Sequence, residues 1–441
     1  MCGICGEWDP SGASAERTSR MSARLVHRGP DDGGLEVMGP VALAARRLSI
    51  IDLETGHQPI RGRAGKTCIA FNGEIYNYGA LRRDLLERGH ELRTKSDTEV
   101  VLRLYEEVGE SVVDHLRGMF AFAIWDADRQ ALFLARDRFG QKPLFHTTSG
   151  GRFLFASEIK ALLAGLPQMP AMDLESLDDY LTLRFIPSPH TMFEGIHKLP
   201  PGHVLTISAA DVAAGVTPDP VRYWGLCYLP KHEIPEAEAV AETRRLVRDA
   251  VRSHLVADVE VGAFLSGGMD SSLVVAMMAE AAGPGVETFA IGVDDRDFNE
   301  LEYARRVARH CGTEHHEVIV RPDLTRLLPR MILHMEEPSD PVAACMYHAA
   351  ELASRHLKVV LTGDGGDEVF AGFDRYAGFP WVRYYAALPR ALRRAVLGPA
   401  IRRLPDRAGY KTFSQKARWI HDLSFHEGGR RYAEATAFFR F

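Results

Sequence analysis

The stretch Ala263 to Ser272, Ala-Phe-Leu-Ser-Gly-Gly-Met-Asp-Ser-Ser, limits what this chain can fold into more than any other. A short β-branched run, Val259-Glu260-Val261-Gly262, precedes it, and the apolar run Leu273 to Ala279 follows it. The pattern predicts a buried strand, a glycine loop and a helix packed on that strand. Glycines let the backbone close on an anion, and the helix behind them turns free N–H groups and its positive dipole end to the same point. Ser266, Ser271 and Ser272 add hydroxyl donors, and Asp270 can hold a divalent cation beside phosphates. The loop therefore reads as an oxyanion cradle. It lacks the Gly-Lys-Ser/Thr ending and the phosphate-reaching lysine of a Walker A loop.

From Ala237 onward helices and strands alternate, which predicts a parallel sheet with helices on its faces. A helix over 237–255 leads to the cradle. Strands are expected at Thr288–Val293 and Glu314–Val320, with helices at 300–310 and near 323–335. A further strand, Val359-Val360-Leu361-Thr362, runs into Gly363-Asp364-Gly365-Gly366-Asp367-Glu368. Ligands of open α/β sheets sit beyond the carboxyl ends of the strands, so this second glycine loop should face the same ligand as the first. Its acids cannot bind phosphates directly, which makes Mg²⁺ the natural intermediary. A solvated turn or a calcium loop is the competing reading, but the EF-hand spacing is missing and the buried strand in front argues for a site.

The other end of the chain carries different chemistry. It begins Met1-Cys2-Gly3-Ile4-Cys5-Gly6. Removal of Met1 would leave Cys2 with a thiol and a free α-amine. That amine has an ordinary pKa of ~7.7–8.0 and can act as a base for a thiol of ~8.5. Half a zinc site is the competing reading of Cys2 and Cys5, but no second pair at ligand spacing follows. Arg46 to Asp52 reads as a strand with a basic entrance, and Ile69 to Asn77 as a strand ending in an Asn-Gly turn. Ser96 is a plausible N-cap for an amphipathic helix that starts at Asp97. An asparagine amide and a glycine N–H can hold an oxyanion, while arginine and aspartate can grip an α-carboxylate and α-amine. Met119–Asp126 and Ala131–Asp137 read as antiparallel strands joined by residues 127–130, and residues 205–235 as connector.

These residues carry two resemblances. Cys2-Gly3-Ile4, His27-Arg28-Gly29-Pro30-Asp31, Arg47-Leu48-Ser49-Ile50, Asn72-Gly73-Glu74 and Asp97 resemble the class II, N-terminal-nucleophile glutamine amidotransferase domain. Ser-Gly-Gly-x-Asp-Ser-Ser resembles the pyrophosphate loop of the ATP pyrophosphatases. Their order over the whole chain resembles the glutamine-hydrolysing asparagine synthetase family.

The resemblance implies an α+β N-terminal antiparallel β-sandwich flanked by helices, of the Ntn hydrolase type. An α/β doubly wound parallel-sheet ATP-pyrophosphatase domain would follow. It implies Cys2 as nucleophile, its own amine as base, and Asn72 with Gly73 as oxyanion hole. Arg47, Leu48, Ser49, Ile50, Ile51, Glu74 and Asp97 would form the glutamine pocket. Leu265 and Ile291 would contact adenine; Ser266, Gly267, Gly268, Asp270, Ser271 and Ser272 would hold pyrophosphate; and Thr362 with Gly363 would touch the ribose and α-phosphate. Asp270 and Asp367 would be Mg²⁺ ligands, with ATP as co-substrate and a carboxylate, favoured as aspartate, as acceptor. Two departures stand out. Asp364 occupies a place where the family carries glutamate, and no Arg-x-Pro-Phe-Leu-Asp segment follows before Phe441. The second implies a truncated chain or an acceptor pocket missing one part.

At 441 residues the chain exceeds one ordinary domain. The expected division is 1–210 for the glutaminase domain and 211–441 for the synthetase domain. Hydrophobic content of 46% and charged content of 25% are those of a full-cored globular protein. A net charge of −6 gives no reason to expect nucleic acid or an anionic membrane as partner. No signal peptide is read, and six scattered cysteines predict reduced thiols and a cytoplasmic home. A homodimer is compatible with this build.

Overall fold

The computed structural model describes residues 1–294, 299–321, 323–337, 343–405 and 412–437. Two six-stranded sheets occupy the N-terminal half. The first runs, in spatial order, His197–Lys198, Phe145–Ser149, Arg152–Ala156, Gly3–Trp8, Val41–Arg47 and Asp32–Met38. The second runs Val221–Arg222, His203–Ser208, Ala131–Arg136, Gly118–Asp126, Thr67–Ile75 and Ile60–Arg61. Every pairing in both is antiparallel.

Strand periodicity explains the layers. Along Thr67–Ile75, Cys68 and Ala70 enter one core with Ile4, Trp8, Leu43, Trp125, Leu134 and Phe155, which fills the space between the sheets. Ile69 and Phe71 point the other way, to a second core with Val100, Val101 and Leu104 of the helix Asp97–Val108. The outer face of the first sheet is covered in the same way by Met21 and Leu25 and by Ile159 and Leu162. Helix, sheet, sheet, helix is the resulting order, as expected for the N-terminal half.

Residues 205–235, read as connector, do not behave as one piece. His203–Ser208 is a strand, Ala209–Ala214 a helix closed by a Ser208–Asp211 capping box, and Val221–Arg222 a short strand on the sheet edge. Proline and polar residues suggested a linker, but Val204, Leu205 and Ile207 are buried against the sandwich and that burial decides. Arg46–Asp52 also differs from expectation: the strand ends at Arg47, and the backbone then leaves the sheet.

The C-terminal half is built on a parallel sheet in the order Glu314–Val320, Glu287–Val293, Val261–Phe264, Val359–Leu361. The chain first steps outward from the Val261–Phe264 strand. It then returns to that strand's other side, so the order reverses between Val261–Phe264 and Val359–Leu361. That reversal is where such sheets leave a crevice for ligands. Val275 and Met278 of the helix Met269–Ala282, with Leu301, Ala304 and Ala308 of Leu301–Cys311, pack on Ala263, Leu265 and Ala290. No helix among the described residues is long and apolar enough to cross a membrane.

Candidate active sites

Cys2 stands at the head of the Gly3–Trp8 strand, in the middle of the first sheet. The register Gly3 to Arg46 places it beside Arg47 and Leu48 of the neighbouring strand. Its Sγ lies 3.4 Å from the Leu48 N–H and 3.7 Å from the Leu48 carbonyl. Arg28 donates from Nε to the Cys2 carbonyl at 2.8 Å and from Nη1 to Glu158 at 2.9 Å, which fixes the chain end. Burial pushes the Met1 amino group down to about 6, with the Lys142 and Arg28 charges adding to the effect. The same burial raises the Cys2 thiol.

A small cavity of about 20 Å³ opens beside this sulfur, lined by Cys2, Arg47, Leu48, Ile50, Ile51, Gly73, Glu74 and Asp97 among others. Arg47 is 5% exposed and donates to the carbonyls of Ile51 and Asp52, both at 2.7 Å, which curls residues 48–52 over the pocket. Asp97 caps the pocket from the first turn of its helix, with Ser96 as N-cap and the Ile75 N–H donating to its carboxylate at 3.0 Å. Burial pushes both Asp97 and Glu74 upward, and the Asp97 charge raises Glu74 further.

Asn72 and Gly73 correct the turn expected for them. Both lie inside the Thr67–Ile75 strand, opposite Ala121 and Phe120. Gly73 is glycine because a Cβ there would stand 2.3 Å from the Met119 carbonyl oxygen. Asn72 is fully buried, yet neither its Oδ1 nor its Nδ2 has a hydrogen-bond partner. An unpaired buried amide is costly and marks a group held ready for something else.

The sequence missed several neighbours. Gln58 accepts from the Phe71 N–H at 2.8 Å and donates to Thr98 at 3.2 Å, so it braces the pocket wall. Phe71, Ser96 and Thr98 complete the lining. Lys142 is 5% exposed, and burial lowers its pKa although Cys2 and Glu74 act to raise it. No local pattern distinguishes it from a surface lysine. Ser49 lies outside the lining and gives its N–H to Asp31 at 2.9 Å.

The second candidate site is made by the loops leaving adjacent parallel strands. Leu265 is buried and its N–H bonds the Phe289 carbonyl at 2.9 Å. Gly267 has φ +83, and a Cβ there would meet the Ala304 backbone nitrogen at 2.5 Å. The Ser266 and Ser271 hydroxyls lie 3.0 Å apart, and Gly268 gives its N–H to Ser266 Oγ at 3.2 Å. Gly268 caps the helix Met269–Ala282 without a side-chain bond, so its first-turn N–H groups have no side-chain cap. The second loop presses directly on this one. A Cβ on Gly363 would stand 2.7 Å from the Ser271 nitrogen, and one on Gly366 2.4 Å from the Asp270 carboxyl carbon. The loop that carries Asp367 thus packs on Asp270, with Thr362 leading in and Asp364 exposed. Ile291 sits on the adjacent strand. Ser272 starts the helix ladder, its N–H going to the Gly268 carbonyl at 3.1 Å.

A larger cavity of about 380 Å³ lies between the two sites. Ile50, Glu74, Tyr76 and Met119 line one end, Val359 to Thr362 and Asp364 the other, with Val251, His254 and Val274 in the wall. Ile50 and Glu74 border both cavities.

Residues 1–224 match the family described as glutamine amidotransferase domain, and residues 242–436 the one described as asparagine synthase. A putative glutamine-hydrolysing asparagine synthetase of Mycobacterium tuberculosis is 34% identical over 461 aligned positions, covering 99% of this chain and 70% of the relative. The chain belongs to the glutamine-hydrolysing asparagine synthetase family. Asparagine synthetase 1 of Bacillus subtilis is 36% identical over 404 residues, 90% of this chain and 63% of its own length. A relative with a different name, amidase chyE of Penicillium rubens, is 35% identical over 413 residues, 85% of this chain and 60% of its own length. The family thus spans the Cys2 pocket and the paired glycine loops in one chain.

Proposed function

We propose that this chain is a glutamine-dependent amidotransferase that makes asparagine from aspartate, ATP and the amide nitrogen of glutamine. The observation that carries the reading is the cavity shared by the two sites. One site is shaped to release ammonia, the other to activate a carboxylate, and Ile50 and Glu74 open the first toward the second.

In this reading Cys2 Sγ attacks the glutamine carboxamide, and the terminal amine left after loss of Met1 takes the thiol proton. The Asn72 amide and the Gly73 N–H receive the developing oxyanion, which explains why the asparagine is buried without partners. Arg47 and Asp97 orient the substrate's α-carboxylate and α-amine, with Leu48, Ser49, Ile50, Ile51 and Glu74 shaping the pocket. Ammonia leaves as the thioester forms, and water then clears the enzyme.

At the second site Ser266 to Ser272 hold the β,γ-phosphates as a leaving group, Leu265 and Ile291 take the adenine, and Thr362 with Gly363 the ribose side. The acceptor carboxylate attacks the α-phosphorus to give an acyl-adenylate, and ammonia displaces AMP. The loop lacks the lysine that γ-phosphoryl transfer would use. Gly366 packs on the Asp270 carboxylate in the loop that carries Asp367, and the two carboxylates would supply the hard oxygen donors that Mg²⁺ prefers. When bound there, Mg²⁺ would offset the charge of the phosphates. The units proposed are 1–210 for glutamine hydrolysis and 211–441 for synthesis, in a cytoplasmic enzyme compatible with a homodimer.

The deciding experiment is Cys2→Ala. Glutamine-dependent synthesis should vanish while synthesis from added ammonium salt persists, and equal loss of both would make Cys2 structural. A second acceptor reading has one observation behind it. Asp364, at the cavity's far end, is a shorter acid than the family's glutamate. ATP–pyrophosphate exchange across a panel of carboxylates separates the readings, since only the true acceptor supports exchange.

A further inference from the structure

Three metal-ligating side chains converge at the amino-terminal end of the parallel sheet, away from the nucleotide loops at its carboxyl end. Glu287 opens the Glu287–Val293 strand, His316 lies on the Glu314–Val320 strand beside it, and His356 lies on the segment that leads into Val359–Leu361. One ligand atom from each falls within 4.8 Å of the other two. His316 Nε2 is 3.0 Å and His356 Nδ1 3.3 Å from Glu287 Oε2. The two imidazoles lie with centroids 4.1 Å apart.

These contacts are not an ordinary ion-pair network. Glu287 Oε2 and His316 Nε2 are sealed from solvent, and neither makes a hydrogen bond. They are close to each other but out of line, so the nitrogen's in-plane direction does not point at the oxygen. Two sealed polar atoms without hydrogen bonds are costly, and a shared cation would satisfy both. The spacing suits one: with bonds of ~2.0–2.1 Å, neighbouring donors of a tetrahedral zinc centre stand ~3.3 Å apart. Two imidazoles and a carboxylate favour Zn²⁺ or a similar transition metal over Mg²⁺.

We propose that Glu287, His316 and His356 form a transition-metal site distinct from the nucleotide site. His356 is the most accessible ligand, with 34% of its side chain exposed, and so provides the entry side. Glu314 Oε1, 3.8 Å from His316 Nε2, is within reach of the remaining position. The site would tie two strands to the segment that carries Lys358. It would act as a staple of the synthetase half and take no part in its chemistry.

The test uses the full chain in a Cys2→Ala background, which removes the pocket thiol as a competing ligand. Co²⁺ is titrated and followed by its visible ligand-field bands, and Zn²⁺ by calorimetry and by the thermal midpoint. One tight equivalent should bind, raise the midpoint and be reversed by chelator. His356→Ala, at the most exposed of the three ligands, should weaken binding on the order of ten- to a hundredfold or more. Glu287→Gln and His316→Gln should do the same. Unchanged bands and affinity in His356→Ala, or no midpoint shift with stoichiometric Zn²⁺, would overturn the site and leave the cluster a bare ion pair.

Discussion

In the Cys2 pocket the polar groups are sealed in place before any substrate arrives: Asn72 is fully buried, Asp97 is 4% and Arg47 5% exposed. At the strand ends of the second half, Ser266, Gly268 and Asp364 stand open, and shape comes from glycines that let two loops touch. In the proposed function the first site stabilises charge that develops during reaction, so its dipoles must be fixed beforehand and kept dry. The second would receive charge that arrives with the nucleotide, so backbone N–H groups would suffice with a cation and the loops can stay accessible. The difference is one between a site folded around its chemistry and a site completed by its ligand.

The contrast predicts that damage stays local. Asp270→Asn should lower ATP-dependent synthesis by roughly 10³-fold or more, because it removes charge beside the phosphates, yet leave glutamine hydrolysis without ATP intact. Comparable loss of both activities would break the separation. Asn72→Ala should cost about 10²–10³ in glutaminase kcat, the usual effect of removing one oxyanion donor, with ammonia-dependent synthesis unchanged. A tenfold or smaller loss would mean that Gly73 alone holds the charge.

A pH profile sharpens the same comparison. Burial depresses the Met1 amine to about 6, against ~8 for a free one, and the same surroundings should hold the Cys2 amine left after loss of Met1 below the free value. A base must be neutral, so glutaminase kcat/KM should rise with pH through an inflection below ~8. Ammonia-dependent synthesis should lack that step. An inflection near 8 would show a solvated terminal amine.

The smallest effect concerns the contact between the halves. Lys358 Nζ lies 2.6 Å from Asp31 Oδ2, with the two side chains 44% and 29% exposed. Exposed pairs contribute little, so Lys358→Met should cost well under ~1 kcal/mol by thermal melting and leave each half-reaction near its starting rate.

The legible part of the molecule was the part with short-range rules. Position two singles out Cys2, while helix caps, glycines that permit close approach, and short apolar runs alternating with helices place Ser96, Gly267 and the parallel strands from local sequence alone. What needed the structure came from pairing across long separations. Asn72-Gly73 resembles a hairpin turn in isolation, and only Met119 and Phe120 opposite explain why the glycine lies mid-strand. Lys142 and Gln58 reach the Cys2 pocket through folds of the chain that no local pattern records. Glu287, His316 and His356 are spread over three elements with no spacing motif, and they meet only because the strands order themselves about Val261–Phe264.

One short segment touches both halves. Residues 50–52 take two hydrogen bonds from Arg47 over the Cys2 pocket, and the same segment is laced to Asp258, just before the strand that ends in the Ser266 loop. The Asp258 N–H donates to the Ile50 carbonyl at 2.9 Å, and the Asp52 N–H to the Asp258 carboxylate at 2.7 Å. A thermodynamic cycle then sets a rule for the two ligands. Whatever factor nucleotide occupancy applies to glutamine affinity, glutamine must return to nucleotide affinity in equal measure. Removing the side-chain half of the lacing with Asp258→Ala, which keeps the backbone bond to Ile50, should move that factor toward one while leaving each ligand's affinity in the other's absence unchanged, a result that paired equilibrium titrations can read directly.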